Sequence, residues 1–313
     1  MRTQRVVVTI TIILILGTVF TYWSKHSPTT TPVVTGKVPV VATFYPLAHF
    51  AEQVGGDRVT VTNVTSSGVE PHDYEPTPKD IITVKQAKLF LFNGSGLDHW
   101  AEKLQSELLA SGVRVVEVAR GLASLSGIEE ETGQPSATST DPHTWLDPVL
   151  AQNEVRVILA ALQQADPAGK EVYQRNADVF LQRLSDLDAE YRAGLTTCVT
   201  RKVVTAHAAF GYLAKRYNLE QLAIAGISPE VEPSAKRLAE LATLAKKDDI
   251  HYIFFETLVS PKLAETLARE VGAKTAVFNP LEGLTDDELA TGATFVSVMQ
   301  ENLRTLRTAL QCS

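Results

Sequence analysis

The chain has 313 residues and a formal net charge of −7 at neutral pH. Hydrophobic residues make up 44% of it and charged residues 21%, which suits one large domain or two ordinary domains with real cores. The 29 basic residues are outnumbered by 36 acidic ones and form no basic patch, which argues against a nucleic-acid partner.

The first 37 residues differ in character from the rest of the chain. Arg2 and Arg5 precede an apolar run over residues 6–23, which is typical of a secretory signal or a single membrane anchor. Basic residues on the N-terminal side predict that this end stays in the cytoplasm and that the rest is exported. The run has neither a lipobox cysteine nor a clear cleavage site, so an uncleaved anchor stays open. Residues 27–37 are rich in Thr and Pro and predict an extended tether.

Residues 38–165 alternate between β-branched runs and helical patterns, which predicts a parallel sheet flanked by helices. Strands are predicted at residues 38–44, 58–65, 88–92 and 113–118. Residues 121–140 break the alternation with acidic, Gly, Pro, Ser and Thr residues, and we expect a mobile polar loop there. Residues 38–165 together form the first predicted lobe.

Apolar residues then recur every three or four positions over residues 166–195, with Pro167 at the start, which predicts one helix about 45 Å long. Residues 166–196 are therefore predicted to be a rigid linker between lobes. After it the alternation restarts, and residues 197–313 are predicted to form a second α/β lobe. Strands are predicted there at residues 201–205, 219–225, 250–256 and 273–278. The predicted fold is thus two lobes, each with a roughly four-stranded parallel sheet flanked by helices, joined by one long helix.

The two cysteines, Cys198 and Cys312, open the second lobe and nearly end the chain. In an exported protein an even cysteine count permits a disulfide. A bridge would close a loop of more than a hundred residues, which the chain-entropy model values at up to ~4–5 kcal/mol. Two separate thiols are the alternative.

Three of the seven histidines share a position relative to the predicted elements. His72 follows the second strand in a proline-stiffened acidic loop, His143 precedes a helix, and His207 directly follows a strand of the second lobe. Ligands of open parallel sheets bind outside the carboxyl ends of the strands, so these imidazoles are predicted to meet in the cleft between the lobes. The remaining histidines are expected to be structural or incidental, and they are His26, His49, His99 and His251.

Three imidazole nitrogens favour zinc, whereas manganese prefers carboxylates and water. Three nitrogens leave one tetrahedral position, which we assign to Glu282 in the loop after the last strand, with Asp286, Asp287 or water as alternatives. Carboxylates are expected to orient the imidazole rings, and the candidates are Asp147 and Glu230.

Five motifs, in this order, resemble the metal-receptor proteins of bacterial ABC importers for zinc and manganese, the cluster A-I or ZnuA-like group. They are GVEPHDYEPTP at 68–78, DPHTWLDP at 141–148, AHAAFGYL at 206–213, GISPEVEPS at 226–234 and NPLEGLT at 279–285. The resemblance covers residue 38 to the C-terminus. It implies two α/β lobes joined by a long helix, with metal in the cleft held by His72, His143, His207 and a carboxylate at Glu282. A histidine as the third ligand resembles the zinc branch.

The resemblance implies a monomeric, non-enzymatic receptor that delivers Zn²⁺ to a membrane permease driven by a cytoplasmic ATPase. The segment at 121–140 departs from many zinc receptors of the group because it contains no histidine. A manganese receptor of the same type is the main alternative, and an additional adhesin role stays open. A zinc hydrolase is less favoured because no HExxH motif is present. A nucleotide site is set aside because Gly94-Ser95-Gly96 lacks a third glycine.

Overall fold

A computed structural model describes residues 36–129 and 133–313. The predicted signal or anchor and nearly all of the tether lie outside these residues. Within the described part of the chain, no helix is both long enough and apolar enough to cross a membrane.

The first lobe is built on a four-stranded parallel sheet in the order β2-β1-β3-β4. Its strands are β1 Val38–Ala42, β2 Val59–Asn63, β3 Leu89–Phe92 and β4 Arg114–Glu117. Its helices are α1 Tyr45–Gly55, α2 Pro78–Gln86, α3 His99–Ala110 and α4 Pro148–Ala165. All four residues of β3 are buried, as expected for a strand covered by helices on both faces.

The second lobe repeats this architecture with a parallel sheet in the order β10-β9-β7-β8. Its strands are β7 Lys202–Thr205, β8 Glu220–Ala223, β9 Tyr252–Phe255 and β10 Lys274–Val277. Its helices are α6 Gly211–Tyr217, α7 Ala235–Lys247, α8 Lys262–Val271, α9 Asp286–Ala290 and α10 Phe295–Ala309. The two-lobe parallel architecture is the predicted one.

A single long helix, α5 Lys170–Gly194, runs between the lobes after a 3₁₀ turn at Pro167–Gly169. Its 25 residues span about 37 Å. The helix is tied to the first lobe at one end, where the Asn176 side-chain amide donates to the Val54 carbonyl at 3.1 Å. It is tied to the second lobe at the other end, where the Tyr191 hydroxyl donates to the Met299 carbonyl at 2.7 Å. The predicted continuous helix from residue 166 was wrong only in its first turn, which is 3₁₀.

The largest buried core cluster is continuous through both lobes. It runs from β1 of the first lobe through α4 and α5 to α10 of the second lobe. Two smaller clusters complete the opposite faces of the two sheets. Because side chains in a packed interior interlock, this shared core resists rotation of one lobe against the other.

Residues 121–140, expected to be a loop, contain an antiparallel hairpin of β5 Ser126–Ile128 and β6 Pro135–Thr140. The hairpin is anchored on the second lobe by Tyr212, whose hydroxyl accepts from the Ser124 and Leu125 N–H groups and donates to the Asp141 carbonyl. Two very short strands rich in Ser and Thr give no clear alternating pattern, which is why the sequence indicated a loop.

The two cysteines lie side by side where the C-terminus returns to the end of α5. The Cys198 and Cys312 sulfur atoms are bonded in the structure, and their Cα atoms are 3.9 Å apart. The bonded pair spans 114 residues and so fastens the last residues of the chain to the start of the second lobe.

Candidate metal centre

Four donor atoms from four different loops meet between the lobes. They are Nε2 of His72, His143 and His207, and Oε1 of Glu282, and all lie within 4.8 Å of one another. Each loop follows the carboxyl end of a strand: β2 precedes His72, β6 precedes His143, β7 precedes His207 and β10 precedes Glu282. The parallel order of the two sheets brings His72, His207 and Glu282 together, and the antiparallel strand β6 leads His143 to the same place.

The spacing of the donors fits one small tetrahedral ion. Glu282 Oε1 lies 3.3 Å from His72 Nε2, 3.0 Å from His143 Nε2 and 3.1 Å from His207 Nε2. His143 Nε2 lies 3.2 Å from His72 Nε2 and 3.3 Å from His207 Nε2. A tetrahedron with zinc–nitrogen bonds of about 2.0–2.1 Å has edges of about 3.3–3.4 Å. These five separations are close to those edges, and the sixth pair, His72 and His207, lies within 4.8 Å.

The site is closed to water on most sides. The side chains of His143, His207 and Glu282 are fully buried, and that of His72 is only 5% exposed. An open cavity of about 920 Å³, lined partly by Asp73, borders His72. His72 is therefore the ligand candidate nearest to the solvent.

Two buried carboxylates orient the rings of His143 and His207 in the same way. Asp141 Oδ1 accepts from the His143 backbone N–H at 3.0 Å and lies 2.8 Å from its Nδ1. Glu256 Oε1 accepts from the His207 N–H at 3.2 Å and lies 2.7 Å from its Nδ1. A carboxylate can only accept, so Nδ1 donates to it and Nε2 is the ring nitrogen that faces the site. This arrangement prepares both rings for metal binding.

The ring-orienting carboxylates differ from the two that the sequence indicated. Asp147 instead accepts from the Val149 and Leu150 N–H groups at the start of α4 and pairs with Arg216. Glu230 is exposed, and its backbone N–H donates to Ser228 Oγ. Both predictions were wrong, because the Asp147 side chain is engaged at the start of α4 and Glu230 is exposed.

A local sequence signal existed for one of the correct carboxylates. Asp141 stands two residues before His143. At this spacing an Asp side chain commonly accepts a hydrogen bond from the backbone N–H of the second residue after it. Glu256 follows the last residue of β9, and β9 lies beside β7, the strand that leads to His207. The sequence does not reveal that strand order, so Glu256 was found only in the structure.

The charges of the metal-free site are strongly coupled. Burial lowers the pKa of His143 and His207, but their hydrogen bonds and charge interactions with carboxylates outweigh it, and both pKa values lie above the ordinary value. Burial raises the pKa of Glu282, yet the three facing imidazoles hold that pKa well below its ordinary range. For His72, burial dominates and the pKa is lowered. The ionised Glu282 carboxylate is therefore stabilised by the imidazoles that surround it.

A further acidic residue, Glu70, lies beside this group. Its Oε1 accepts from the His72 backbone N–H at 3.0 Å. Burial, followed by repulsion from the Glu282 carboxylate, raises the Glu70 pKa. Glu70 thus supports the backbone of the His72 loop, and with its pKa raised to about 10 its carboxyl is protonated near neutral pH.

The alternative carboxylates proposed for the fourth position lie elsewhere. Asp286 and Asp287 are in the first turn of α9, where Thr285 caps the helix. Asp286 accepts a hydrogen bond from the Ser67 hydroxyl. Of the three acidic candidates, the structure brings only Glu282 into the cluster.

Comparison with known proteins gives consistent matches over nearly the same region. A High-affinity zinc uptake system protein ZnuA from Bacillus subtilis is 41% identical over 280 residues, covering 88% of this chain and 88% of that protein. The Zinc-binding lipoprotein AdcA of Streptococcus pneumoniae is 40% identical, and this chain spans about 56% of its length.

Among solved structures, the Zn(II)-bound ZnuA-like domain of Streptococcus pneumoniae AdcA superimposes with a TM-score of 0.76 at 40% identity. The match covers 88% of this chain and 99% of that domain. The family model described as "Zinc-uptake complex component A periplasmic" matches residues 40–309. The chain belongs to this family of zinc-uptake component A proteins.

Proposed function

We propose that this chain is an extracytoplasmic zinc receptor that binds Zn²⁺ and delivers it to the permease of an ABC importer with a cytoplasmic ATPase. The observation that carries the proposal is the convergence of three Nε2 atoms and one carboxylate oxygen within 4.8 Å of one another. Zinc-binding relatives at about 40% identity support the same reading.

In this proposal His72, His143, His207 and Glu282 are the four zinc ligands. Four protein ligands complete a tetrahedral ion and leave no position for an activated water, which zinc hydrolases need. The site is therefore suited to holding zinc as cargo. Nitrogen donors in three of four positions favour zinc over manganese.

Capture and release follow from the positions of the ligands. Zinc would enter past His72, which borders the open cavity, and would meet two rings already oriented by Asp141 and Glu256. The helix α5 is bonded to both lobes, so we propose that release uses local movement of the loops carrying His207 and Glu282. In this account residues 38–165 and 197–313 are the lobes and 166–196 the linker.

We further propose that the receptor acts as a monomer outside the cytoplasm, either free in the periplasm or held at the membrane by residues 6–23. An oxidising compartment is consistent with the bonded pair Cys198–Cys312.

Metal content measured after equilibrium dialysis against zinc tests the proposal. The chain should bind one zinc ion, and His72→Ala should lose most of this binding because one of four ligands is removed. His251→Ala is the matched control, since His251 is exposed and lies outside the cluster. Equal zinc content in the wild type and His72→Ala would contradict the proposed site.

Manganese is the alternative cargo, and competition separates the two ions. Zinc should displace manganese from the wild type, whereas His207→Glu should shift the preference toward manganese by replacing a nitrogen with an oxygen donor. An unchanged preference in this variant would show that the third ligand does not set selectivity.

A further inference from the structure

The loop that carries Glu282 has an unfavourable backbone conformation immediately before the ligand. Leu281 has a φ of 58°, which lies in the left-handed region that residues other than glycine rarely adopt. Its side chain is fully buried, and its N–H donates to Asn279 Oδ1 at 2.7 Å. Such a conformation persists only where the surrounding structure holds it.

The start of this loop is held by the closing helix of the second lobe. Asn302, a buried residue of α10, accepts from the Asn279 N–H at 2.9 Å and donates to the Asn279 carbonyl at 2.7 Å. These two bonds fix the backbone of Asn279 three residues before Glu282. They leave the next peptide carbonyl, that of Pro280, to be satisfied from elsewhere.

That partner comes from the other lobe. The buried Trp145 donates its indole N–H to the Pro280 carbonyl at 2.8 Å. Trp145 stands two residues after His143, and the centroids of the two rings are 5.2 Å apart. One indole therefore packs beside one metal-ligand candidate and hydrogen-bonds the loop that carries another.

We propose that Trp145 is a positioning residue for Glu282, a role that rests on the zinc-receptor function proposed above. Its indole N–H holds the Pro280–Leu281 peptide, and this peptide sets the left-handed turn that directs the Glu282 carboxylate to the fourth position. Without this bond the backbone at Leu281 relaxes toward an ordinary conformation and Oε1 leaves the site. Zinc is then held by three imidazoles and water, with lower affinity.

Trp145 also packs against Phe44, with ring centroids 4.8 Å apart, so a purely structural role must be separated from positioning. A double-mutant cycle achieves this separation. If Trp145 acts through Glu282, substituting Trp145 lowers zinc affinity only while the Glu282 carboxylate is present. If Trp145 only stabilises the core, its substitution changes zinc affinity equally with and without that carboxylate.

The experiment measures zinc dissociation constants for the wild type, Trp145→Phe, Glu282→Ala and the double variant. Trp145→Phe should weaken zinc binding by about tenfold or more in the wild-type background, the range of orienting groups around metal sites. In the Glu282→Ala background it should change binding by less than about twofold. The absorption spectrum of bound Co²⁺, which reports coordination geometry, should be the same for Trp145→Phe and Glu282→Ala and different from that of the wild type.

Trp100→Phe is the matched control, because Trp100 is a buried tryptophan in a separate core cluster of the same lobe, 5.8 Å from the Phe90 ring. It should leave zinc affinity unchanged. If Trp145→Phe fails to fold, benzothienylalanine at position 145 keeps the shape of the indole and replaces only its N–H with sulfur. It should give the same weakening.

If the substitution at position 145 lowers zinc affinity equally with Glu282 present and with Glu282→Ala, the positioning role is overturned. It is also overturned if the variant at position 145 binds zinc as tightly as the wild type. If the wild-type chain binds no zinc, the receptor function itself fails. If the wild type binds zinc but the cycle reveals no coupling, only the role of Trp145 fails.

Discussion

At the residue scale, the site depends on ring nitrogens whose roles are set before any ion arrives. Asp141 and Glu256 accept from Nδ1 of His143 and His207, so both Nε2 atoms face Glu282. Little side-chain freedom remains to be lost when zinc binds, which favours tight capture. The same contacts raise the pKa of both imidazoles, so protons and zinc compete for the same nitrogens.

This competition predicts how zinc affinity depends on pH. The ordinary histidine pKa is about 6.5, and the values of His143 and His207 lie above it. As pH falls, these rings therefore take up protons before pH reaches 6.5, and zinc affinity should begin to fall while the solution is still near neutral. Competition with a chromophoric chelator from about pH 8 to about pH 5.5 measures the effect. An affinity that stays constant over this range would argue against a three-histidine site.

The ring-orienting carboxylates make a second prediction at this scale. Glu256→Gln keeps the size of the side chain but weakens its hold on His207 Nδ1, so zinc affinity should fall by about 10–100-fold. Glu230→Gln makes the same chemical change on an exposed residue and serves as the control. Titration with zinc distinguishes them, and equal affinities for the two variants would contradict the role assigned to Glu256.

At the element scale, the strands and helices were largely predictable, because buried β-branched runs and helical periodicity are local signals. The β5–β6 hairpin was missed because strands of three and six residues rich in Ser and Thr give no such signal. The helix after His207 begins only at Gly211. The intervening turn lets the His207 side chain face the cleft instead of the solvent side of a helix.

The members of the cluster could be named from the sequence because His72, His207 and Glu282 each follow a strand of a parallel sheet, while His143 ends a loop that begins a helix. The contacts that support the cluster could not be predicted from the sequence. Glu256 meets His207 through the β7–β9 pairing, and Trp145 meets Pro280 across two lobes. Both contacts join segments more than forty residues apart, 49 for the first and 135 for the second, and no periodicity encodes them.

The bonded cysteines give an element-scale prediction about stability. Cys198→Ser with Cys312→Ser releases the last residues from the end of α5 and opens a loop of 114 residues, so the free energy of unfolding should fall by up to ~5 kcal/mol. Urea unfolding of the metal-free protein measures the loss. The four ligands lie in other loops, so the zinc affinity of the folded variant should stay within about twofold of the wild type. Unchanged stability would contradict the structural role of the bond.

At the scale of the whole molecule, the lobes share one continuous core along α5, so they are expected to move little relative to each other. Small-angle X-ray scattering of the metal-free and zinc-bound chain should give superimposable curves. Hydrogen exchange should instead slow on zinc binding in the loops around His207 and Glu282. A clear compaction of the whole chain on binding zinc would show hinge closure and contradict local release.

We expect one zinc ion to bind to the four donor atoms in the cleft between the lobes. Anomalous diffraction at the zinc edge from crystals of the zinc-loaded protein locates the ion. We expect one strong peak about 2.0–2.1 Å from Nε2 of His72, His143 and His207 and about 2.0–2.2 Å from a carboxylate oxygen of Glu282. A peak bound by other residues, or none between the lobes, would contradict it.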